Sequence, residues 1–120
     1  MSELKITVVM PQIVNTKDEA EALDGFMSIL AAEAGRLAEL QRQPGFGQHE
    51  GVARVFSARF SEEDALAAVV RASGKWFMRN PGATLTYKIE SGRGGKTLQL
   101  TSYSAVALAQ AAAELKEYLE

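Results

Sequence analysis

Cysteine is absent from this 120-residue chain, histidine occurs once and proline three times. The first absence removes disulfides, thiolate nucleophiles and every cysteine-based zinc site. No apolar run approaches the ~20 residues needed to cross a bilayer, so a membrane partner is not expected. The opening Met1-Ser2-Glu3-Leu4-Lys5 lacks a charged segment followed by an apolar one, so no secretory signal is read there. A soluble, cytoplasmic protein is expected. Neither sign of charge dominates: 13 basic and 15 acidic residues leave a net charge of −2. Nucleic-acid affinity comes largely from clustered Lys and Arg, so nucleic acid is not an expected partner. Hydrophobic residues make up 47% of the chain. That suffices for one ordinary core, and residues 1–120 are read as a single domain.

The clearest pattern lies in the second half. Ala83 to Glu90 and Lys96 to Thr101 alternate apolar and polar residues strictly, around Ser91-Gly92-Arg93-Gly94-Gly95. This is a β-hairpin with one buried and one wet face. Glycines in the turn supply positive φ. Leu4, Ile6, Val8 and Met10 give a first strand, stopped by Pro11. Thr16-Lys17-Asp18-Glu19 has capping-box form, with Thr16 as N-cap. Leu23, Phe26, Met27, Leu30, Ala34, Leu37 and Leu40 continue at helical spacing, predicting a helix from about Lys17 to about Gln41. Such a helix would span roughly 37 Å at 1.5 Å per residue, against about 27 Å for eight-residue strands. It either overhangs the sheet or breaks at Gly25 or Gly35, and the overhang is the expectation.

Gln43 to Gly51 is a loop by its Gly and Pro content. A second strand, about Val52 to Phe60, alternates poorly, with Arg54 in phase with Phe56. Ser61 is read as the cap of a second helix with an inner stripe of Leu66, Val69, Val70, Ser73, Trp76 and Phe77, ended by Asn80-Pro81-Gly82. Ser104 caps an Ala-rich last helix with Leu108, Ala112, Leu115 and Leu119 in line. The expected fold is α/β (α+β): a four-stranded mixed sheet packed by three helices, in the order β-α-β-α-β-β-α. Its wet face carries Lys5, Thr7, Thr84, Thr86, Lys88, Thr97, Gln99 and Thr101.

Chemistry is thin. His49 beside Glu50 is a conceivable acid–base pair, yet a lone histidine with no orienting partner identifies no catalytic role. Asp18, Glu19 and Glu21, and Glu62, Glu63 and Asp64, fall in helical first turns, where the helix dipole already explains them. Glu33 sits at the edge of the first helix's stripe and suits a rim salt bridge. The Gly-rich hairpin turn is no phosphate cradle, because it joins two strands rather than a strand and a helix. Lys88, Arg93 and Lys96 form a small basic tip, a weak candidate anion site together with His49 and Glu50. The wet face shows no aromatic rings for stacking bases. No catalytic residue, metal ligand or cofactor is read from the residues.

The run Asp64-Ala65-Leu66-Ala67-Ala68-Val69-Val70, then Trp76-Phe77-Met78-Arg79, Thr84-Leu85-Thr86-Tyr87-Lys88-Ile89 and Lys96-Thr97-Leu98-Gln99-Leu100 resembles the effector-associated constant component family of bacteria. Phe77 stands where that family tends to have leucine. The resemblance implies a non-enzymatic adaptor or accessory component of a bacterial conflict or defence system, bound to a protein partner, either an effector or itself. Two other functions stay open from the residues: a small ligand-binding domain or enzyme with a pocket near residues 43–51, and an inhibitor or immunity-type protein. For an interaction module the candidate contacts are Leu37, Leu40, Phe46, Leu115 and Leu119, including a possible homodimer through the overhanging helix and the Ala-rich helix.

Overall fold

A computed structural model describes residues 2–13, 15–43, 54–90, 94–101 and 103–119. The elements are β1 (Ser2–Val9), α1 (Thr16–Ala34), β2 (Glu39–Gln43), β3 (Val55–Phe60), α2 (Glu63–Arg79), β4 (Thr84–Glu90), β5 (Lys96–Leu100) and α3 (Ala105–Lys116). The α+β class and the three helices agree with the sequence reading. The sheet differs from it: five strands in the order β2-β3-β1-β4-β5, every neighbouring pair antiparallel.

The extra strand comes from the segment read as the end of the first helix. Helix α1 ends at Ala34. The Gly35 N–H still reaches Ala31 O at 3.0 Å, but a Cβ there would lie 2.5 Å from that same oxygen, so only glycine fits. The chain turns through Leu37 and Ala38, both bonded to Ala34 O, and leaves as β2. The overhanging helix therefore does not exist. In β2, Leu40 and Arg42 share the helix-covered face, opposite Ala58 and Phe56. Arg42 lies with its guanidinium 5.3 Å from the Phe56 ring centroid and pairs with Asp24. Its aliphatic stem takes the place of an apolar residue.

Adding β2 also explains why the sheet is not mixed. β1 lies between β3 and β4 and runs antiparallel to both, so β3 and β4 are parallel to each other with β1 between them. The β1-α1-β2-β3-α2-β4 portion is thus a split β-α-β, ferredoxin-like arrangement, extended by β5 and α3. Gly94 and Gly95 before β5 take the positive φ expected of the hairpin turn.

All three helices lie to one side. Leu4, Ile6, Val8, Phe56, Phe60, Leu85, Tyr87 and Ile89 point from the sheet into the core. Helix α1 meets them with Leu23, Phe26, Leu30 and Ala34, and α2 with its predicted stripe. Trp76 sits edge-on to Phe26 at 5.2 Å, and its indole N–H donates to Ala22 O at 2.9 Å. Tyr87 O–H donates to Ser73 Oγ, which donates in turn to Val69 O. Burial pushes the Tyr87 phenol far above its ordinary value, more than the Ser73 contact lowers it. The poor alternation of β3 has a cause too: Arg54 is in phase with Phe56 because it pairs with Glu19, which is 8% exposed.

Two caps sit one residue from their predicted places. Asn15, not Thr16, caps α1 by accepting from Lys17 N at 2.8 Å. Glu62, not Ser61, is the N-cap of α2 and makes no side-chain cap bond. Ser104 caps α3 as expected, accepting from Ala107 N at 3.0 Å.

Candidate functional site

Of the residues singled out from sequence, Lys88 and Lys96 both line a hollow of about 410 Å³ beside the hairpin turn, and the other described ones lie apart from it. Phe46, His49, Glu50 and Arg93 lie outside the described residues. Lys88 and Lys96 are on opposite faces of the hairpin. Lys96 registers with buried Ile89 and reaches Glu114 of α3 at 3.7 Å, whereas Lys88 faces outward and meets Glu90 at 3.1 Å. Leu115 is fully buried, and Leu40 and Leu119 pack against the core. Leu37 stays partly exposed in the turn after α1. Among the described residues no group of three or more His, Cys, Asp or Glu side chains is placed to hold a metal ion. Among the same residues no helix is long and apolar enough to cross a membrane.

The residues that do come together were not marked as a site by the sequence. Helices α2 and α3 run antiparallel. Glu63 near the start of α2 meets Lys116 at the end of α3 at 3.2 Å, while Gly74 lies beside Leu108 and Tyr103. A Cβ on Gly74 would fall 2.9 Å from both Leu108 Cδ1 and Tyr103 Cε2. The missing side chain therefore lets the Tyr103 ring come close against α2. The alanines of α3 permit close approach to α2, a neighbour the sequence reading did not name.

Along this seam runs a groove of about 410 Å³, lined by Val70, Gly74, Met78, Tyr103, Leu108 and Ala112, with Arg71 and Lys75 on its rim. It falls within the volume range of binding clefts in general. Two of its large apolar lining residues stand exposed: Met78 at 71% and Tyr103 at 44%. Toward the other end of the seam lies a second hollow of about 350 Å³, which shares Ala67 and Ala112 with the first and adds Ala113, Glu63 and Asp64.

The basic rim is held from below. Glu33 of α1 accepts from Lys75 and lies 3.7 Å from Arg71 Nε, so it is the rim salt bridge its position predicted. The Lys75 hydrogen bond, helped by both positive charges, holds the Glu33 carboxyl below its ordinary value of 4.5, against the smaller opposing effect of desolvation. The interior glycine was the one signal in the sequence for this site. Glycine inside a helix costs about 1 kcal/mol relative to alanine and usually marks a packing reason.

The groove holds no nucleophile–base pair and no convergent carboxylates. What it offers is apolar area with charge on its rim, which suits a side-chain cluster from another surface. Comparison with protein-family models, with curated proteins and with solved structures returns no match.

Proposed function

We propose that the protein is a non-enzymatic interaction module that acts through protein–protein contacts, an adaptor or accessory component of a bacterial conflict or defence system. The last part comes from the resemblance to the effector-associated constant component family alone. One observation carries the rest: the groove between α2 and α3 with Met78 and Tyr103 standing exposed in its wall. Leaving a large apolar side chain in water forgoes about 1.5–3 kcal/mol. Contiguous exposed apolar area on a small domain marks a contact surface more often than a solvent-facing one. By contrast, a pocket built for chemistry would aim an acid, base or nucleophile into the cavity, whereas here Arg71, Lys75 and Glu33 pair with one another at the rim.

The test is site-specific photo-cross-linking in the cells that make the protein. A photoreactive residue at Met78 is expected to give protein adducts. The same residue at Thr86, on the uncovered face of the sheet, is expected to give none. Adducts from Thr86 and none from Met78 would move the contact surface elsewhere. An absence of protein adducts from both would overturn the reading.

A further inference from the structure

What fills the groove, taken as a contact surface, is set by the charge and shape of its walls. The exposed side of α2 is sorted by charge. Glu62, Glu63 and Asp64 are exposed at its start, Ala67 is exposed in its middle, and Arg71, Lys75 and Arg79 are exposed toward its end. The apolar knobs are sorted as well. Met78 and Tyr103 stand at the basic end. The hollow floored by Ala67, Ala112 and Ala113 lies at the acidic end. One end of the face thus carries projections and positive charge, and the other a recess and negative charge.

A surface of this kind is complementary to itself. We propose that it binds a second copy of the chain as a two-fold dimer, the α2–α3 pair of one protomer lying head to tail on that of its partner. A two-fold axis through the Ala67 region is isologous. It sets Glu63 and Asp64 of one protomer against Arg71 and Lys75 of its partner, twice over. It also brings Met78 beside the acidic start of the partner's α2. The small residues at the centre let the two layers of helices approach closely. Parallel docking would instead stack like charge on like charge. Glu33 offsets part of the basic rim, and Lys116, 3.2 Å from Glu63, offsets part of the acidic end, which leaves the two ends opposite in net sign.

The footprint sets the strength. Helix α2 is 17 residues long, or about 25 Å, and two packed helices are about 20 Å wide. With the axis near Ala67 about half of that length overlaps, so a face of roughly 300 Å² per protomer lies below standard interfaces and the dimer should be weak and reversible.

Sedimentation velocity from micromolar to millimolar concentration tests this with two charge variants. Arg71→Glu/Lys75→Glu makes both ends acidic, and Glu63→Lys/Asp64→Lys makes both ends basic. The unmodified protein is expected to dimerise as concentration rises, and each variant alone to stay monomeric. An equimolar mixture of the two is expected to regain association, because an all-acidic face then meets an all-basic one. Far-ultraviolet circular dichroism verifies the fold of each variant. Should either fail to fold, Met78→Glu at a site 71% exposed replaces it and is expected to weaken association at least about ten-fold.

A protein that is monomeric at every concentration overturns the proposal, as does a dimer indifferent to these substitutions. Folded variants that stay apart when mixed overturn the head-to-tail geometry. A strict monomer whose Met78 still cross-links to a different protein would end the dimer and leave the interaction-module reading standing. No Met78 adduct of any kind would end both.

Discussion

Two faces of this molecule meet solvent, and they are built on opposite plans. On the uncovered side of the sheet, charges alternate at short range. Lys5 and Lys88 lie side by side in register, an arrangement that is unfavourable alone. Glu3 sits 4.0 Å from Lys5, Glu90 sits 3.1 Å from Lys88, and Arg59 comes within 4.0 Å of Glu3. Thr7, Thr86 and Gln99 continue the polar surface across three strands. On the α2–α3 side each end holds a local pair, Glu63 with Lys116 and Glu33 with Lys75, but the excess negative and positive charges are separated to the two ends, with apolar side chains between and beside them. Interleaved charges cancel within a few ångströms. Separated charges project a field into solvent and steer what approaches. The comparison shows that exposure alone does not mark a contact surface; the arrangement of what is exposed does.

The largest expected effect comes from filling the seam. Gly74→Leu places a side chain where Leu108 and Tyr103 already stand, and overpacking of this kind costs about 1–3 kcal/mol. Urea denaturation should show that loss, whereas Thr86→Val on the sheet face should stay within about 0.5 kcal/mol. Similar costs for both would erase the contrast between a packed seam and a solvated surface.

The core layer beneath the sheet comes next. Tyr87→Phe removes a buried hydrogen bond worth about 1 kcal/mol, and Ser73 keeps its bond to Val69. The Tyr87 phenol titrates above its ordinary value of 10.0 when folded. The unfolded chain therefore releases that proton first. Stability from this group is complete below pH 10 and is lost as pH rises beyond it. Melting temperatures followed into alkali should fall less steeply for Tyr87→Phe than for the unmodified protein.

Glu33 gives a smaller effect of opposite sign in pH. Its folded value is lowered by Lys75 and Arg71. Its contribution is present above the ordinary carboxylate value of 4.5 and is lost as pH falls through the lowered folded value. Glu33→Gln should therefore lower neutral stability slightly, leave stability in strong acid unchanged, and so flatten part of the acid limb of the stability profile. A steeper acid limb would contradict the lowered value.

The smallest effect sharpens the comparison most. Lys88→Thr breaks an exposed pair on the sheet face and should shift stability by under about 0.5 kcal/mol, with sedimentation unchanged. A change in self-association from this substitution would assign the contact to the sheet instead.

Strict alternation made β1, β4 and β5 readable, and the stripe of α2 appears as predicted from Leu66 to Phe77. The wet face was readable for the same reason. β2 was not, because Leu37 and Leu40 continue the helical spacing of Leu30 and Ala34 by coincidence. The strand's own period is disguised by Arg42, a charged residue whose stem packs on Phe56. Missing that strand reversed the direction assigned to β3 and turned an antiparallel sheet into a mixed one. The groove was unreadable for another reason. Its wall residues come from two helices whose packing on one another is a tertiary fact, and Met78 and Tyr103 carry no periodic signal. Only Gly74 marked the place.

The position of β1 at the centre of the sheet has a consequence for how the chain is made. It is the earliest of the five strands, yet it finds its partners only in Val55–Phe60 and Thr84–Glu90. Closing such a large loop delays the reward for ordering β1. Until Thr84–Glu90 has left the ribosome, Leu4, Ile6 and Val8 sit on a strand with one side open. A stalled nascent chain ending short of Thr84 presents that open strand to chaperones and proteases. The hairpin that is plainest in the sequence is thus also the last piece needed to seal the first one.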